Sequence, residues 1–330
     1  MAAIETQGLE RTFGSRGGAL KAVDGIDLSV APGEVYGFLG PNGAGKTTTV
    51  RMLVTLLRPT GGRATVAGFD VATQPGDVRK RIGVALQEAA LDLLMTGKEL
   101  MELQATLHGI PAREVRDRAH DLIERVGLAQ AQDRRVGTYS GGMRRRLDLA
   151  MALIHSPEVL FLDEPTTGLD PVSRVTLWDE VRRLKDEGTT VFLTTQYLEE
   201  ADQLADRVGI ISAGKIVAEG TPAVLKAEVG QPHLDITLAD GDGEHDLEHA
   251  RTVLTQFGGH RPPAKGCHLS VTVERGAADI AAVVRALDDA GFLVESLELV
   301  EPSLDDVFIA KTGRHLEGAE DAAPAPEPIG

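Results

Sequence analysis

The chain has 330 residues with ordinary apolar and charged content, which predicts two globular domains with enough residues for a full core. Its 34 basic residues against 50 acidic ones give a net charge of −16, which argues against a nucleic-acid-binding protein because such a protein needs a basic face. No run of about 18 apolar residues and no basic-then-apolar leader is present, so we expect a soluble chain whose partner would supply any membrane spans.

The first distinctive motif is a glycine-rich loop between a short apolar strand, Val35–Leu39, and a predicted helix, Thr47–Leu57. It matches the pattern G-x-x-x-x-G-K-[ST], in which backbone N–H groups converge on phosphates, the lysine reaches the β- and γ-phosphates and the following hydroxyl binds Mg²⁺. The helix N-terminus adds partial positive charge at the same point. The motif therefore predicts a nucleoside triphosphate as the ligand. Its residues are Gly40, Pro41, Asn42, Gly43, Ala44, Gly45, Lys46, Thr47 and Thr48.

The surrounding region, residues 1–228, alternates short apolar strands with helical patterns, as a mostly parallel α/β domain does. Residues from about 88 to 139 differ, since they are helical with few strand signals, and they form a predicted helical insert. Apolar side chains between Leu93 and Leu107 fit either the core of this insert or an exposed contact surface. The predicted strands are Val35–Leu39, Ile82–Leu86, Val159–Leu162, Thr190–Thr194 and Arg207–Ile211.

A Ser-Gly-Gly sequence, Ser140, Gly141 and Gly142, precedes the next helical pattern. Ser140 can cap that helix, and the two glycines let backbone N–H groups approach an anion. Taken alone, the sequence is also a common turn. The three arginines 144–146 that follow are interpreted as a solvated helix face.

Two acids, Asp163 and Glu164, end the apolar strand that begins at Val159, and Asp163 lies 23 residues after Ser140. Beside a phosphate loop, an acid at a strand terminus can order the Mg²⁺ shell, which is the role predicted for Asp163. Glu164 is then placed to accept a proton from an attacking water. A capped strand end followed by an exposed acid is the plainer alternative.

The C-terminal part, residues 229–313, is predicted to be a small α+β accessory domain, and residues 314–330 a disordered acidic, Pro- and Ala-rich tail. Ser303 and Asp306 form a capping pair at the start of its last helix.

Cys267, the single cysteine of the chain, excludes an internal disulfide and suits a reducing cytosol. Linkers or loops are predicted at Gln231-Pro232, Asp240–Glu248 and Arg261-Pro262-Pro263. Strands are predicted at His268–Val273 and Phe292–Val300, with a helix at Ala277–Ala290 between them.

The set of motifs closely resembles the ATPase subunit of ATP-binding-cassette (ABC) transporters over about residues 4 to 313. The resemblance implies a P-loop ATPase core that uses ATP and Mg²⁺, and two copies that sandwich two ATP molecules head to tail. Each ATP would lie between the phosphate loop of one copy and the signature motif, Ser140–Gly142, of the other. By the same resemblance, Asp163 occupies the metal-shell position and Glu164 that of the general base.

Further positions follow from the resemblance. Gln87 matches the glutamine that touches Mg²⁺ and reports nucleotide state to the helical insert, and Asp170 ends the Gly168-Leu169-Asp170 loop that couples the two ATP sites. Phe13 occupies the place of the aromatic residue that stacks on adenine, although core packing explains it nearly as well. The helical insert corresponds to the docking region for a membrane subunit.

One position departs from the family pattern. Where a histidine usually contacts the γ-phosphate, this chain has Gln196. An amide can still donate a hydrogen bond to a phosphate oxygen but carries no charge near neutral pH. We therefore expect hydrolysis to survive without any rate dependence on a histidine at this position.

Gln196 and three stretches of the sequence indicate a particular branch of the ABC transporter ATPases. The stretches are 138–148, 193–206 and 302–308. They are most similar to the ATPases of daunorubicin/doxorubicin-resistance exporters. This resemblance implies an ABC-2 type exporter of a hydrophobic, drug-like compound. The chain would be peripheral at the cytoplasmic face of the plasma membrane, bound to a polytopic permease, without direct contact to the cargo. Transport of a lipid or polysaccharide, import, or action on nucleoprotein are the alternatives.

Overall fold

The structure, a computed structural model, describes residues 1–15, 18–87, 91–239, 244–261, 268–273 and 275–314. Several predictions concern residues outside these ranges, namely 240–243 and 262–263 of the predicted loops, Cys267, and residues 315–330 of the predicted tail. The described chain divides into two units: a nucleotide unit built mainly from Met1–Pro222, and a C-terminal unit, Ala223–Ala310.

The secondary structure alternates strands and helices along most of the described chain. The strands are β1 (Ile4–Ser15), β2 (Gly18–Val30), β3 (Val35–Leu39), β4 (Gly61–Val66), β5 (Phe69–Asp70), β6 (Ile82–Ala85), β7 (Val159–Asp163), β8 (Thr190–Thr195), β9 (Arg207–Ser212), β10 (Lys215–Gly220), β11 (His233–Leu238), β12 (His260–Arg261), β13 (His268–Thr272) and β14 (Val294–Val300). The helices are α1 (Lys46–Leu53), α2 (Pro75–Arg79), α3 (Gly97–Leu107), α4 (Ala112–Arg125), α5 (Gly141–Leu153), α6 (Pro171–Asp186), α7 (Leu198–Leu204), α8 (Pro222–Val229), α9 (Glu244–Leu254), α10 (Ala277–Asp289) and α11 (Leu304–Thr312).

A six-stranded sheet forms the centre of the nucleotide unit, in the order β10-β9-β3-β8-β7-β6. All its neighbours pair in parallel except β10, which is antiparallel to β9 at one edge. Strands β3, β7 and β8 are buried along their whole length, which is why they appear in the sequence as continuous apolar runs. The five predicted strands are confirmed to within one residue at each end. The carboxyl ends of β3, β8 and β7 therefore lie side by side.

A second sheet of the nucleotide unit, β2-β1-β4-β5, is antiparallel and was not predicted. Its long β1–β2 pair contains several register shifts. Such irregularities interrupt the alternation of buried and exposed side chains that marks a regular strand in a sequence. Ile4, Leu9 and Ile26 from this sheet pack in one core with Phe38 and Phe161 of the central sheet.

The segment between Leu91 and Thr138 is helical, as predicted. It contains α3, α4 and two short 3₁₀ helices, Ala129–Ala131 and Val136–Thr138. Thr96 and Glu99 form a capping box at the start of α3. The apolar side chains divide between the two roles considered for them: Leu100 and Met101 are buried in the core of the insert, whereas the exposed ones are Leu93, Leu94, Leu103 and Leu107.

The C-terminal unit has the order β-α-β-β-α-β, with an all-antiparallel sheet β12-β13-β11-β14. This is the ferredoxin-like arrangement. The prediction of a loop over Asp240–Glu248 was wrong from Glu244 onward, because α9 begins there and buries Ala250 and Leu254 on one side. The predicted strand from Phe292 begins two residues later at Val294, since Phe292 packs into the core instead.

The capping pair at the start of α11 is confirmed. The backbone N–H of Ser303 donates to Asp306 Oδ2 at 2.9 Å, and the backbone N–H of Asp306 donates to Ser303 Oγ at 3.2 Å. None of the helices in the described ranges has the length and apolar character needed to cross a membrane.

A cavity of about 360 Å³ lies between the central sheet and the helical insert, and two histidines stack within it. The rings of His108 and His155 are 3.9 Å apart and nearly parallel, and His155 Nε2 donates to the carbonyl of Ile82 at 3.0 Å. Burial, followed by the charge of His108, lowers the pKa of His155 to about 4. Burial raises the pKa of Asp148, in the same cavity, to about 6.

These two shifts predict opposite effects of acid on stability. The His155 pKa is lower in the folded state, so its contribution is present above pH 6.5 and is lost as the pH falls toward 4. His155→Phe keeps the ring stacking. Between pH 7 and pH 5 the decrease in the free energy of unfolding should be about 1 kcal/mol smaller in this variant than in the wild type, after allowance for the partial exposure of His155. This corresponds to about 2–4 °C in the change of Tm, measured by thermal denaturation at each pH.

The control is Asp148→Asn. The raised pKa of Asp148 gives a contribution that is present below its unfolded value and lost as the pH rises through about 6. Its removal should make the acid-induced loss steeper rather than shallower. Identical pH profiles for the wild type and both variants would contradict the assignment.

Candidate active site

The phosphate loop joins the end of β3 to α1, as predicted. Gly45 has φ +113°, and a Cβ at this position would lie 2.5 Å from the carbonyl oxygen of Ala22, so only glycine fits. The backbone N–H of Gly40 donates to the carbonyl of Thr195 at 3.2 Å, which ties the loop to the end of β8. Helix α1 ends at Leu53 rather than at the predicted Leu57, because Thr55 adopts a left-handed conformation with φ +66°.

A cavity of about 240 Å³ lies against this loop. Its described lining combines loop residues predicted from the motif with residues from three other segments: Ala22, Pro41, Asn42, Gly43, Gly45, Lys46, Thr47, Thr48, Gln87 and Glu164. The fold therefore brings Gln87 and Glu164 to the phosphate loop from more than 40 and 110 residues away along the chain.

Lys46 is almost completely buried at the base of the loop. Its Nζ donates to the carbonyl oxygens of Gly40 at 2.6 Å and Pro41 at 3.1 Å, and lies 3.1 Å from Glu164 Oε1. The other carboxylate oxygen of Glu164 accepts from Gln87 Nε2 at 3.4 Å. Glu164, the predicted base, thus contacts both the predicted cation and the predicted glutamine.

Asp163 ends β7 with its carboxylate facing the loop. Its Oδ1 accepts from Thr194 Oγ1 at 2.5 Å and from Thr47 Oγ1 at 3.3 Å. Its Oδ2 is buried and has no hydrogen-bond partner among the described residues. A free carboxylate oxygen beside a hydroxyl provides the hard oxygen ligands that Mg²⁺ prefers, so the residues fit the expected metal.

Glu164 has φ +48°, a left-handed conformation that costs a non-glycine residue about 1 kcal/mol or more. Its backbone N–H donates to both the carbonyl and Oγ1 of Thr194, each at 3.1 Å. Thr194 therefore joins Asp163 and Glu164. Thr194 was not among the predicted site residues, although hydroxyl residues at the end of a buried apolar strand were a usable signal.

Ser140 caps α5 as predicted, since its Oγ accepts the backbone N–H of Met143 at 3.2 Å. A Cβ on Gly142 would lie 2.7 Å from Ser173 Oγ on α6. That hydroxyl is held by Asp170, to which it donates at 2.6 Å. The Ser140–Gly142 turn and the Gly168–Asp170 loop are therefore packed together, and this hydrogen bond lowers the pKa of Asp170.

A second cavity, of about 180 Å³, lies between these two segments and the active-site carboxylate. Gln87 and Glu164 line it as well as the phosphate-loop cavity. Its other described lining residues are Gly141, Arg144, Arg145, Thr167, Gly168 and Leu169.

Phe13, Ser140 and Gln196 are among the predicted site residues that line neither cavity. Phe13 is 36% exposed on β1, with the Arg11 guanidinium 4.6 Å from its ring. Gln196 is half-buried just after β8, and Ser140 is exposed at the start of α5. The roles predicted for these three therefore do not follow from the single chain.

The interpretation of residues 144–146 as a solvated face was wrong for Arg145, which is only 8% exposed. On helix α5 it lies on the same face as the buried residues Gly142 and Leu149, three positions before it and four after it. That spacing was the signal available in the sequence.

Comparisons with known proteins identify the family. Residues 23–167 match the ABC transporter model, and residues 220–312 match the model for the DrrA1-3-like ATP-binding protein C-terminal domain. The chain is 50% identical over 311 residues to the daunorubicin resistance ATP-binding protein DrrA3 of Streptomyces coeruleorubidus, which covers 94% of this chain and 96% of that one. The chain belongs to the ABC transporter ATP-binding family. It is an ABC ATPase.

Other relatives of this ABC ATPase carry different names. It is 42% identical over 317 residues to the doxorubicin resistance ATP-binding protein DrrA of Mycobacterium tuberculosis, covering 94% of this chain and 93% of that one. It is 38% identical to the Nod factor export ATP-binding protein I of a Rhizobium species, over 96% of this chain and 98% of the other.

Solved structures agree on the fold of the nucleotide unit. The ADP conformation of MJ1267, an ATP-binding cassette of an ABC transporter, gives a TM-score of 0.60 at 26% identity, covering 67% of this chain and 91% of that one. The dimeric structure of the bacterial ABC transporter cassette MJ0796 gives a TM-score of 0.62 at 24% identity, covering 66% of this chain and 98% of that one. The predicted P-loop ATPase core is confirmed.

The contact between the two loops of this ABC ATPase can be tested with neighbouring glycines. Gly142→Ala should lower Tm by several degrees, since the added methyl meets a hydroxyl that Asp170 holds in place. Gly141→Ala is the control, because a Cβ there meets nothing within 4 Å. Thermal denaturation of both variants checks this, and equal Tm values would contradict the packing described.

Proposed function

We propose that this ABC ATPase is the ATP-hydrolysing subunit of an ABC-2 type exporter that moves a hydrophobic, drug-like compound through a separate membrane subunit. The observation that carries the proposal is the 50% identity to a daunorubicin resistance protein over 94% of the chain. The match extends beyond the ATPase core, since a DrrA-type model covers residues 220–312.

The chemistry proposed is in-line attack of water on the γ-phosphate of ATP. Glu164 accepts a proton from the water as its oxygen bonds to phosphorus, while the bond from that phosphorus to the β-phosphate oxygen breaks, leaving ADP and inorganic phosphate. Lys46 provides the cation for the phosphate oxygens, and the Gln196 amide donates to the γ-phosphate. Asp163, Thr47 and Gln87 would hold Mg²⁺, which neutralises phosphate charge when bound.

We further propose a homodimer in which the Ser140–Gly142 turn of one copy closes over the ATP on the phosphate loop of the other. Two features support it: Ser140 and Gly141 are exposed, and Ser140 lies outside the lining of the phosphate-loop cavity. In such a dimer Phe13 would stack on adenine, and Gly168–Asp170 would couple the two sites. The solved dimeric cassette offers the structural precedent for association.

The dimer would bind a polytopic permease at the cytoplasmic face of the plasma membrane, through the helical insert. The exposed residues Leu93, Leu94, Leu103 and Leu107 on that insert support such a contact. A different exported compound is the second candidate function, because a Nod factor export protein is 38% identical along nearly the whole chain.

The assignment of the base predicts the behaviour of Glu164→Gln. The amide cannot accept the proton, so hydrolysis should fall at least about 100-fold, and the chain should accumulate as an ATP-bound dimer. Phosphate release and light scattering after gel filtration with ATP measure the two effects. Glu158→Gln is the control, since Glu158 precedes the same strand and is exposed. An unaltered hydrolysis rate for Glu164→Gln would show that another group is the base.

The transport assignment predicts the partner. With Glu164→Gln and ATP as bait, capture from native membranes followed by mass spectrometry should recover a small polytopic membrane protein without an extracytoplasmic binding protein. Vesicles containing both proteins should then accumulate daunorubicin only with ATP. Recovery of ribosomal or DNA-repair proteins would overturn the transport proposal and leave the ATPase chemistry intact. Accumulation of a lipid or a polysaccharide but not of the drug would favour the second candidate.

A further inference from the structure

Arg145 on α5 is buried, and its guanidinium bonds to main-chain carbonyls of three residues near the active site. Nε donates to Pro165 at 3.0 Å, Nη2 donates to Asp163 at 2.8 Å, and Nη1 donates to Leu86. Its charge is balanced by Asp148 one helical turn away, with Oδ2 3.4 Å from Nη1. Arginine presents its donors on three separate nitrogens in a rigid plane, whereas the three donors of lysine share one nitrogen on a flexible stem.

The three carbonyls are not scattered. Leu86 directly precedes Gln87, and Asp163 and Pro165 are the two neighbours of Glu164 in the chain. Arg145 therefore touches the backbone on both sides of Glu164 and immediately before Gln87. These two side chains meet at 3.4 Å between the two active-site cavities.

The backbone at Glu164 needs such support, since its left-handed conformation is disfavoured for a glutamate. Thr194 holds the amide of Glu164 from the β8 side, at 3.1 Å. Arg145 holds the carbonyls on either side of it from the α5 side. A strained conformation persists only where its surroundings over-determine it, and these bonds supply that constraint.

The neighbouring arginines do not share this arrangement. Arg144 donates to the carbonyl of Gly137 and Arg146 to that of Val126, both in the segment that precedes α5. Only Arg145 of the three reaches the ends of β6 and β7.

We propose that Arg145 is a positioning residue for ATP hydrolysis, which fixes Gln87 and Glu164 relative to each other and to the signature helix through the carbonyls of Leu86, Asp163 and Pro165. The inference rests on the proposed roles of Gln87 and Glu164 in the reaction. It adds that the helix bearing Ser140–Gly142 sets the geometry of the base within the same chain.

The test uses the full-length protein with Arg145→Lys, and Arg146→Lys as the matched control on the same helix. We expect Arg145→Lys to lower kcat at least tenfold, because the donors of an ammonium share one nitrogen, whereas Arg145 reaches the three carbonyls with three separate nitrogens. The Kd for ATP, measured by calorimetry with Mg²⁺ present, should stay within about twofold, since the phosphate loop is intact. The Mg²⁺ concentration for half-maximal activity should rise as Gln87 loses its fixed position. Arg146→Lys should change none of these quantities.

Wild-type kcat in folded Arg145→Lys, with only Tm lowered, would overturn the proposal in favour of a purely structural role. If Arg145→Lys does not fold, Arg145→Gln is measured with the same criteria, and failure of both to fold would also overturn it. Glu164→Gln is assayed in parallel to separate the two hypotheses. If Glu164→Gln remains active, the proposed base is wrong and the positioning role fails with it. If Glu164→Gln is inactive and Arg145→Lys is normal, only the positioning role fails.

Discussion

The contact between Lys46 and Glu164 is the constraint on which the rest of the site depends. Both side chains are more than nine-tenths buried, and burying two charges costs several kcal/mol per ion unless each is paired and hydrogen-bonded. Lys46 obtains its further partners from the carbonyls of Gly40 and Pro41, so the loop must curl back over its own lysine. Glu164 obtains its further partner from Gln87. The shape of the loop and the approach of Gln87 both follow from this need.

The order of the central sheet makes that contact possible. Strand β8 lies between β3, which leads into the phosphate loop, and β7, which ends in Asp163. In parallel sheets the loops after adjacent carboxyl ends form the ligand-binding edge. Thr194 near the end of β8 can therefore bond to Asp163 and to the amide of Glu164 at once. A hydroxyl on the middle strand thus joins the two acids, and the carbonyl of the next residue, Thr195, accepts the N–H of Gly40 in the loop.

The parts of the site that could be predicted are those that depend on residues close together in the sequence. The phosphate loop, the two acids and the cap at Ser140 depend on a few consecutive residues, and all were predicted. The role of Thr194 depends on which strand lies beside β7, which no local pattern states. Arg145 was missed because three consecutive arginines conceal which one faces inward, since helical positions rotate by about 100° per residue. Helix α9 was missed because its polar residues outnumber the few that it buries.

Helix α5 is linked to the candidate active site of its own chain by two separate contacts. Gly142 packs against Ser173, which Asp170 fixes at the start of α6, and Arg145 binds the carbonyls beside Glu164. Interfaces of packed backbone deform in discrete steps rather than continuously, so a displacement of α5 cannot leave the backbone on both sides of Glu164 unchanged. In the proposed dimer, α5 would meet an ATP held by a second copy, so a movement of α5 on closure would reach the backbone beside Glu164 through the bonds of Arg145.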